Sequence, residues 1–318
     1  MRRADAVQAE LLVGPGAANI DCVAKNYGEF EATRLPYTVA YPLMLLMALT
    51  ATLKKRLMHI LNRKPRFNSY FGDGISKHGA KLRTIAATGD ALFRIYTFSE
   101  GMEEGSTRFQ RAMDKFWMRI LNAQAVRNRL IIVRSEVYRA IMLQAGNGRP
   151  IKVLSLACGS ALAVIQAAVC AWREGVEVRV LLVDKDDEAL KGALALAKQH
   201  GIADTIATKC GDATQFLSLI NDFKPTIAEV IWLAEYLDNK SVRQLFGDIR
   251  SSLQQNGRFI TSQIHHNREA FFLRAILNWS MNYRTVHEFA HSLQAEGFEA
   301  KIFTEPLRIH SVAVATVR

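Results

Sequence analysis

The sequence predicts an α/β fold: a doubly wound, mostly parallel sheet of seven strands that ends in an antiparallel hairpin and follows a helical N-terminal domain. Three observations predict it. From residue 151 onward, apolar runs of strand length alternate with helical segments, as in parallel sheets covered on both faces. Only residues 305–308 separate the last two runs, too few for a parallel crossover. All of the net charge of +11 falls in residues 1–150, which indicates two parts with different roles.

The N-terminal half predicts helices. Residues 42–61 begin apolar and end in the basic cluster Lys54-Lys55-Arg56. This pattern fits a core helix, which is favoured, or a helix that lies on an anionic membrane surface. The apolar run 37–53 is too short to span a bilayer. Residues 79–97 and 107–144 also follow a helical period, and we place the domain boundary between residues 126 and 127.

The C-terminal half predicts alternating elements. The helices are expected near residues 160–173, 186–200, 240–255 and 284–296. The strands are expected near residues 151–156, 178–183, 204–209, 227–234, 257–264, 298–304 and 309–317.

The connection after the first strand indicates a nucleotide cofactor. The strand 151–156 runs into a turn of small residues, 157–161, and the second strand ends on Asp184. Such a turn lets the backbone approach a ligand, and an acid at the second strand tip takes the ribose hydroxyls of an adenosine. The alternative for Asp184 is a cap of the helix that follows. No intact GxGxxG is present, which disfavours a nicotinamide dehydrogenase.

From about Arg127 to the C-terminus the chain resembles a class I S-adenosylmethionine-dependent methyltransferase with a Rossmann-like fold. The matching motifs are the turn at Val153–Ala161, Asp184, Asp212 and the segment 231–238. A less-studied subgroup shares the Ser-Leu-Ala-Cys-Gly turn, the segment 125–130 and the Trp-x-Met-x-Tyr-Arg stretch 279–284. The resemblance implies S-adenosyl-L-methionine as cofactor. The cofactor contacts that it implies are Ser155, Ala157, Gly159, Ser160, Asp184, Lys185, Asp212, Ala213 and Leu233.

The first motif departs from the family pattern. Family members usually carry an acid where Ser155 stands and glycines where Ala157 and Ala161 stand. The missing acid weakens the usual hold on the methionine amino group, and Arg127 or Arg129 could reach the cofactor carboxylate instead. Because the motif departs from the family pattern, a cofactor-binding protein that has lost activity is an alternative hypothesis.

Methyl transfer from a sulfonium is an in-line displacement, so the protein chiefly aligns the acceptor, methyl and sulfur. A general base is needed only if the acceptor is protonated at neutral pH. Glu235 and Tyr236 after the fourth strand, and His265 after the fifth, are the candidate catalytic residues. A loop histidine exposed to solvent is the simpler interpretation of His265. The histidine pair 265–266 lacks further ligands at metal-site spacing, so no metal is predicted.

The acceptor is expected to be small and amphiphilic or anionic, methylated on oxygen or nitrogen. Residues 271–279 are apolar on several faces, and we expect them to cap the site together with the N-terminal helices. A nucleic-acid methyltransferase that uses the basic N-terminal half is the rival. The chain lacks the Asn/Asp-Pro-Pro-Tyr/Phe motif, which disfavours that rival. Four scattered cysteines and the N-terminal composition favour the cytoplasm, and peripheral membrane contact remains an alternative.

Overall fold

The computed structural model describes residues 9–13, 30–32, 35–62, 89–98, 107–146, 150–220 and 222–317. The first part of the predicted helix 79–97 lies outside the described residues. The chain forms two compact units that interleave along the sequence. Unit 1 comprises Met1–Phe30, Asn128–His265 and Asn282–Arg318, and unit 2 comprises Glu31–Arg127 and His266–Met281. The domain boundary expected between residues 126 and 127 stays a prediction.

One sheet of eight strands forms the centre of unit 1. The strands are β1 (Ala9–Val13), β2 (Ile151–Leu156), β3 (Val178–Asp184), β4 (Ile206–Cys210), β5 (Ile227–Val230), β6 (Arg258–Ile264), β7 (Phe298–Thr304) and β8 (His310–Val317). Their order across the sheet is β1-β7-β8-β6-β5-β2-β3-β4. Strands β2 to β6 pair in parallel, while β8 runs antiparallel to both of its neighbours. The doubly wound sheet and its C-terminal hairpin are therefore confirmed.

Two features of the sheet differ from the prediction. Strand β1 is not among the seven predicted strands, and it pairs antiparallel with β7. A five-residue run becomes a strand only when a distant edge supplies its hydrogen bonds, so local pattern could not reveal it. Strand β5 ends at Val230 rather than at residue 234. Trp232 takes a φ of 77°, and a 3-10 turn follows at Ala234–Tyr236, so the chain leaves the sheet early.

Ten α-helices lie in the described part of the chain. They are α1 (Leu35–Ile60), α2 (Gly89–Thr97), α3 (Arg108–Arg119), α4 (Leu121–Gln144), α5 (Leu162–Arg173), α6 (Asp187–Gln199), α7 (Leu217–Ile220), α8 (Asn239–Ser252), α9 (Ala270–Leu277) and α10 (Val286–Ala295). Side chains cap several of them, as their sequences predict. Asp186, Asp238 and Thr285 accept hydrogen bonds from the first turns of α6, α8 and α10.

The core of unit 1 lies on both faces of the parallel strands. Leu154, Val183 and Val230 from three adjacent strands are fully buried. On β6, Phe259 packs against Phe246 of α8 and Phe298 of β7, with ring centroids 5.2 and 5.4 Å apart. Burial on both faces explains why these strands read as continuous apolar runs.

Unit 2 contains α1, α2, α3, α9 and the start of α4. The predicted helix 107–144 breaks at Ile120, where ψ is 154°. The carboxylate of Glu269 accepts hydrogen bonds from the backbone amides of Leu121 and Asn122, each at 2.8 Å. This distant acid caps the start of α4, which explains why one predicted helix is two.

Aromatic side chains of α3 and α9 form part of the core of unit 2. The rings of Trp117 and Phe272 stack with centroids 5.5 Å apart, and Phe116 lies edge-on to both. Residues 271–279 thus contribute α9 to this core, and their expected role as a cap of the site stays a prediction. Among the described helices, none combines the length and apolar character that a membrane crossing requires.

Candidate functional site

The carboxyl ends of the central strands share one edge of the sheet. Strand β2 pairs in parallel with β3 and β5, and β5 pairs in parallel with β6. Strand β8 runs the other way, so its first residue, His310, pairs with Ile264 at the end of β6. Ligands of open α/β sheets bind at this edge. The turn 157–161, Asp184, the segment 231–238 and His310 are therefore brought together by topology.

The turn after β2 keeps the backbone of a glycine-rich loop, although alanines replace two of its glycines. Ala157, Gly159 and Ala161 have φ values of 50°, 51° and 49°, in the left-handed region. Only glycine adopts this region without strain, which explains why the family has glycines at the two alanine positions. Ala161 is also the N-cap of α5 and offers no capping side chain, so the first amides of that helix remain for other acceptors.

The carboxylate of Asp184 joins the turn to the tip of β3. One of its oxygens accepts a hydrogen bond from the amide of Gly159 at 2.8 Å, and the other accepts from the amide of Asp186 at 3.0 Å. Each carboxylate oxygen has a second lone pair, so the group can still accept from ribose hydroxyls. The cap of α6 is Asp186 rather than Asp184, since Asp186 accepts from Glu188 and Ala189.

Asp212 follows β4 at the same edge. Its carboxylate accepts from the amide and the hydroxyl of Thr214, each at 2.8 Å, and the backbone hydrogen bond is the main reason that its pKa is lowered. The amide of Gly211 donates to the carbonyl of Asp184 at 2.9 Å, which ties the two strand ends together. Ala213 is buried and Lys185 is exposed. The adenine-side role expected for Asp212 stays a prediction.

Ser155 lies beside a buried acid that sequence reasoning missed. Its hydroxyl donates to Oε2 of Glu229 at 2.5 Å, and the two residues are partners in the β2–β5 ladder. Burial raises the pKa of Glu229 to about 7, against the effects of Ser155 and Arg129. A single charged residue within the apolar strand β5 was the available signal. The structure therefore places a buried carboxyl group beside Ser155, on the neighbouring strand.

Arg129 and Glu235 form a fully buried ion pair at this edge. Nη1 of Arg129 lies 4.0 Å from Oε1 of Glu235, and its guanidinium carbon lies 4.3 Å from the centroid of the Trp232 ring. Ser262 donates to the same carboxylate oxygen at 3.3 Å, while Oε2 has no hydrogen-bond partner among the described residues. Burial raises the pKa of Glu235 to about 7, although Arg129 acts in the opposite direction.

His310 is the second functional candidate that the sequence did not reveal. It is fully buried, and its ring meets that of Trp232 edge-on with centroids 5.5 Å apart. Neither ring nitrogen has a hydrogen-bond partner within the described part of the chain. Burial, followed by the charges of Arg129 and His265, lowers its pKa well below the usual value, so the ring is neutral. A buried neutral imidazole without partners is rare and marks a polar contact to be filled.

His265 and Tyr236 occupy different settings from Glu235. Nδ1 of His265 donates to the carbonyl oxygen of Arg284 at 2.7 Å, and Nε2 lies 2.6 Å from the hydroxyl oxygen of Ser311. Both ring nitrogens are thus engaged and the side chain is buried, so the interpretation of His265 as a loop histidine exposed to solvent is wrong. Tyr236 is 36% exposed. The catalytic roles of all three residues stay predictions.

Arg284 fixes the segment that carries Glu235. Its guanidinium donates to the carbonyls of Ala234 at 2.9 Å and Leu237 at 2.6 Å, and to Oε1 of Gln263 at 3.0 Å. The amide of Asn282 also donates to the carbonyl of Glu235 at 2.7 Å. The stretch 279–284, noted for its resemblance to the subgroup, therefore includes residues that hold the loop after β5.

Neighbouring side chains of the segment 125–130 make contacts in different parts of the fold. Asn128 donates to Glu305 in the hairpin turn at 3.1 Å, and Arg129 reaches the edge of the sheet. Arg127 belongs to unit 2, where it pairs with Glu31 at 2.5 Å and donates to the carbonyl of Met118 at 2.8 Å. Its expected contact with the cofactor carboxylate stays a prediction, and Arg129 is the arginine that lies at the strand ends.

The comparison with known protein families agrees with the geometry of the sheet edge. A family model described as "Putative methyltransferase" matches residues 29–317. The chain belongs to this methyltransferase family. The class I methyltransferase predicted from the sequence is confirmed, and the reaction is methyl transfer. No group of metal-ligating side chains is present among the residues described.

The fold of this methyltransferase resembles those of many solved structures, including two that cover most of the chain. A "possible exported protein" from Bordetella parapertussis has a TM-score of 0.65 and 19% identity over 86% of this chain and 96% of that chain. Magnesium protoporphyrin IX methyltransferase from Synechocystis PCC 6803, with bound SAH, has a TM-score of 0.51 and 14% identity over 76% and 99% of the two chains. At these identities the likeness shows the fold. Among curated proteins, none matches the sequence closely enough to serve as a relative.

Proposed function

We propose that this protein transfers the methyl group of S-adenosyl-L-methionine to a small amphiphilic or anionic acceptor, on oxygen or nitrogen. The observation that carries the proposal is the hydrogen bond from the Gly159 amide to Asp184. It joins the small-residue turn and the strand-tip acid, the two features that together hold an adenosine. The bound SAH of the cyanobacterial methyltransferase supports the same cofactor.

The residues at the edge fit this cofactor. Asp184 retains lone pairs for ribose hydroxyls, and the first amides of α5 suit a carboxylate. The Ser155–Glu229 pair has a carboxyl group near the turn, where the family usually has an acid. Bound S-adenosyl-L-methionine supplies the activated methyl group, and the protein positions the acceptor and excludes water.

Glu235 is the residue best suited to take a proton from the acceptor. Its Oε2 has no partner in the described structure, and its pKa of about 7 matches a base that works near neutral pH. Arg129 beside it favours the ionised form. An acceptor that is already a carboxylate would not need this base.

Turnover that depends on the chain length of a carboxylic acid would support the amphiphilic acceptor, and indifference to chain length would count against it.

The cofactor proposal is tested by the variant Asp184→Asn. We expect its affinity for S-adenosylhomocysteine, measured by calorimetry, to fall by about 10- to 100-fold, because a charged acceptor of ribose hydroxyls is lost. The matched control is Asp186→Asn, which changes the same group two residues away. Asparagine caps helices as well as aspartate, so this control should bind normally. Equal affinities for both variants, or wild-type protein that prefers NAD, would refute the proposal.

A further inference from the structure

Helix α1 presents an apolar stripe that the described residues of unit 2 do not cover. The stripe consists of seven aliphatic side chains spaced three or four residues apart, each between 53% and 82% exposed: Val39, Leu43, Leu46, Leu49, Leu53, Leu57 and Ile60. It runs for about 32 Å along the helix at 1.5 Å per residue. An exposed apolar surface of this extent marks an interaction site.

The opposite face of α1 is already used. Met44, Met47 and Ala48 are buried, and Nζ of Lys55 donates to the carbonyl of Ala275 in α9 at 3.0 Å. The helix is therefore a core helix on one face only. Because this face is anchored in unit 2, a partner of the stripe would meet α1 from the side, along its length.

The charges on α1 indicate the chemistry of that partner. The helix contains no acidic residue, and Lys54 and Arg56 flank the stripe on either side of the Leu53 and Leu57 positions. More basic residues follow in the sequence at Arg63, Lys64 and Arg66. Basic residues beside an apolar helix face are typical of helices that lie in the interface of an anionic membrane.

We propose that the apolar stripe of α1 binds the surface of anionic lipid membranes, with the leucines in the acyl boundary and the basic residues at the headgroups. A second copy of the chain is a poorer partner, since α1 carries three Lys and Arg residues and no acidic residue, so two such helices offer each other no opposite charges. The proposal goes beyond methyl transfer and does not depend on the acceptor.

Binding to vesicles tests the stripe. The full chain is sedimented with vesicles of phosphatidylcholine alone or mixed with phosphatidylglycerol, and we expect binding to the mixed vesicles. The triple variant Leu46→Gln, Leu53→Gln, Leu57→Gln should bind the mixed vesicles at least about 100-fold more weakly than the wild type. The control is Leu143→Gln with Leu217→Gln, two exposed leucines of unit 1 that should leave binding unchanged.

The charges are tested separately. The variant Lys54→Gln, Arg56→Gln should weaken binding to anionic vesicles by roughly 20- to 30-fold, as each basic residue contributes separately. Its control, Arg173→Gln with Arg179→Gln, removes two exposed arginines of unit 1 and should have no effect.

Three outcomes would overturn the proposal. The first is wild-type protein that does not bind anionic vesicles, and the second is a triple variant that binds them like the wild type. The third is a dimer in sedimentation velocity that the triple variant dissociates, since the stripe would then join two copies of the chain. S-adenosylhomocysteine affinity is measured on every variant, so a misfolded protein or a failed cofactor proposal is recognised independently.

Discussion

At the scale of single residues, a neighbouring strand supplies a carboxyl group beside the altered first motif. The family acid is missing at Ser155, but Glu229 stands beside it on β5 with a hydrogen bond of 2.5 Å. Adjacent strands lie less than 5 Å apart, so a side chain on either strand delivers its carboxylate to nearly the same place. A sequence motif fixes a position along one strand, whereas the chemistry needs only a position in space.

The buried acid predicts an unusual pH dependence of stability. The pKa of Glu229 is about 7 in the folded protein and 4.5 in the unfolded chain, so the folded state binds the extra proton between these values. The protonated form stabilises the fold at low pH, and this contribution, on the order of 3 kcal/mol, is lost as pH rises through 7.

The variant Glu229→Gln should remove this contribution. Its free energy of unfolding, measured with urea from pH 5 to 8, should fall less steeply with pH than that of the wild type. Some slope should remain, because Glu235 has a similar pKa. Glu177→Gln, at an exposed position, is the control and should keep the wild-type slope. An unchanged slope in Glu229→Gln would show that Glu229 is ionised throughout.

The turn between β2 and α5 is the element on which the candidate site depends. Ala157 and Ala161 adopt left-handed φ values that cost an ordinary residue about 1–2 kcal/mol each. The hydrogen bonds around them compensate: the Gly159 amide binds Asp184, and the Ala161 amide binds the carbonyl of Cys158 at 2.7 Å. The backbone geometry is thus imposed by the surrounding strands and helix.

Replacing Ala157 with glycine should therefore change the stability of the protein very little. Relief of the strained φ offsets the greater flexibility of the unfolded chain, so Ala157→Gly should change the unfolding free energy by less than about 0.5 kcal/mol or raise it. The control is Ala167→Gly inside α5, which should lose about 1–2 kcal/mol through helix propensity and a buried methyl group. Equal losses in the two variants, by thermal or urea unfolding, would contradict a left-handed Ala157.

At the scale of the whole molecule, the distribution of charge bears on two hypotheses for the basic N-terminal half, nucleic-acid binding and membrane binding. All of the +11 lies in residues 1–150, and an RNA methyltransferase would use it to hold phosphates. The structure places part of this charge in internal pairs, such as Arg127 with Glu31, and part on α1 beside the apolar stripe. The nucleic-acid rival and the cytoplasmic location stay predictions.

Salt dependence distinguishes these readings. We expect any binding of generic RNA to be non-specific and to disappear between about 50 and 200 mM salt, as for a protein that only neutralises phosphates. Filter binding across this range measures it. Tight binding that survives the higher salt and competes with the methyl acceptor would favour the RNA methyltransferase.

The sequence by itself determined the order of strands and helices, the C-terminal hairpin and the positions of the turn and Asp184. Periodicity, short connections and small residues act locally, so they can be read from neighbouring letters. These local signals did not predict strand β1, the helix break at Ile120 or the early end of β5. Each of these features depends on a distant partner or a special φ.

Only the tertiary structure decided which buried groups meet at the edge of the sheet. Glu229 beside Ser155, His310 beside Trp232 and the exposed stripe of α1 all depend on residues far apart in the chain. Strand register and helix packing set these neighbours, and both follow from the burial of the whole core rather than from any short segment.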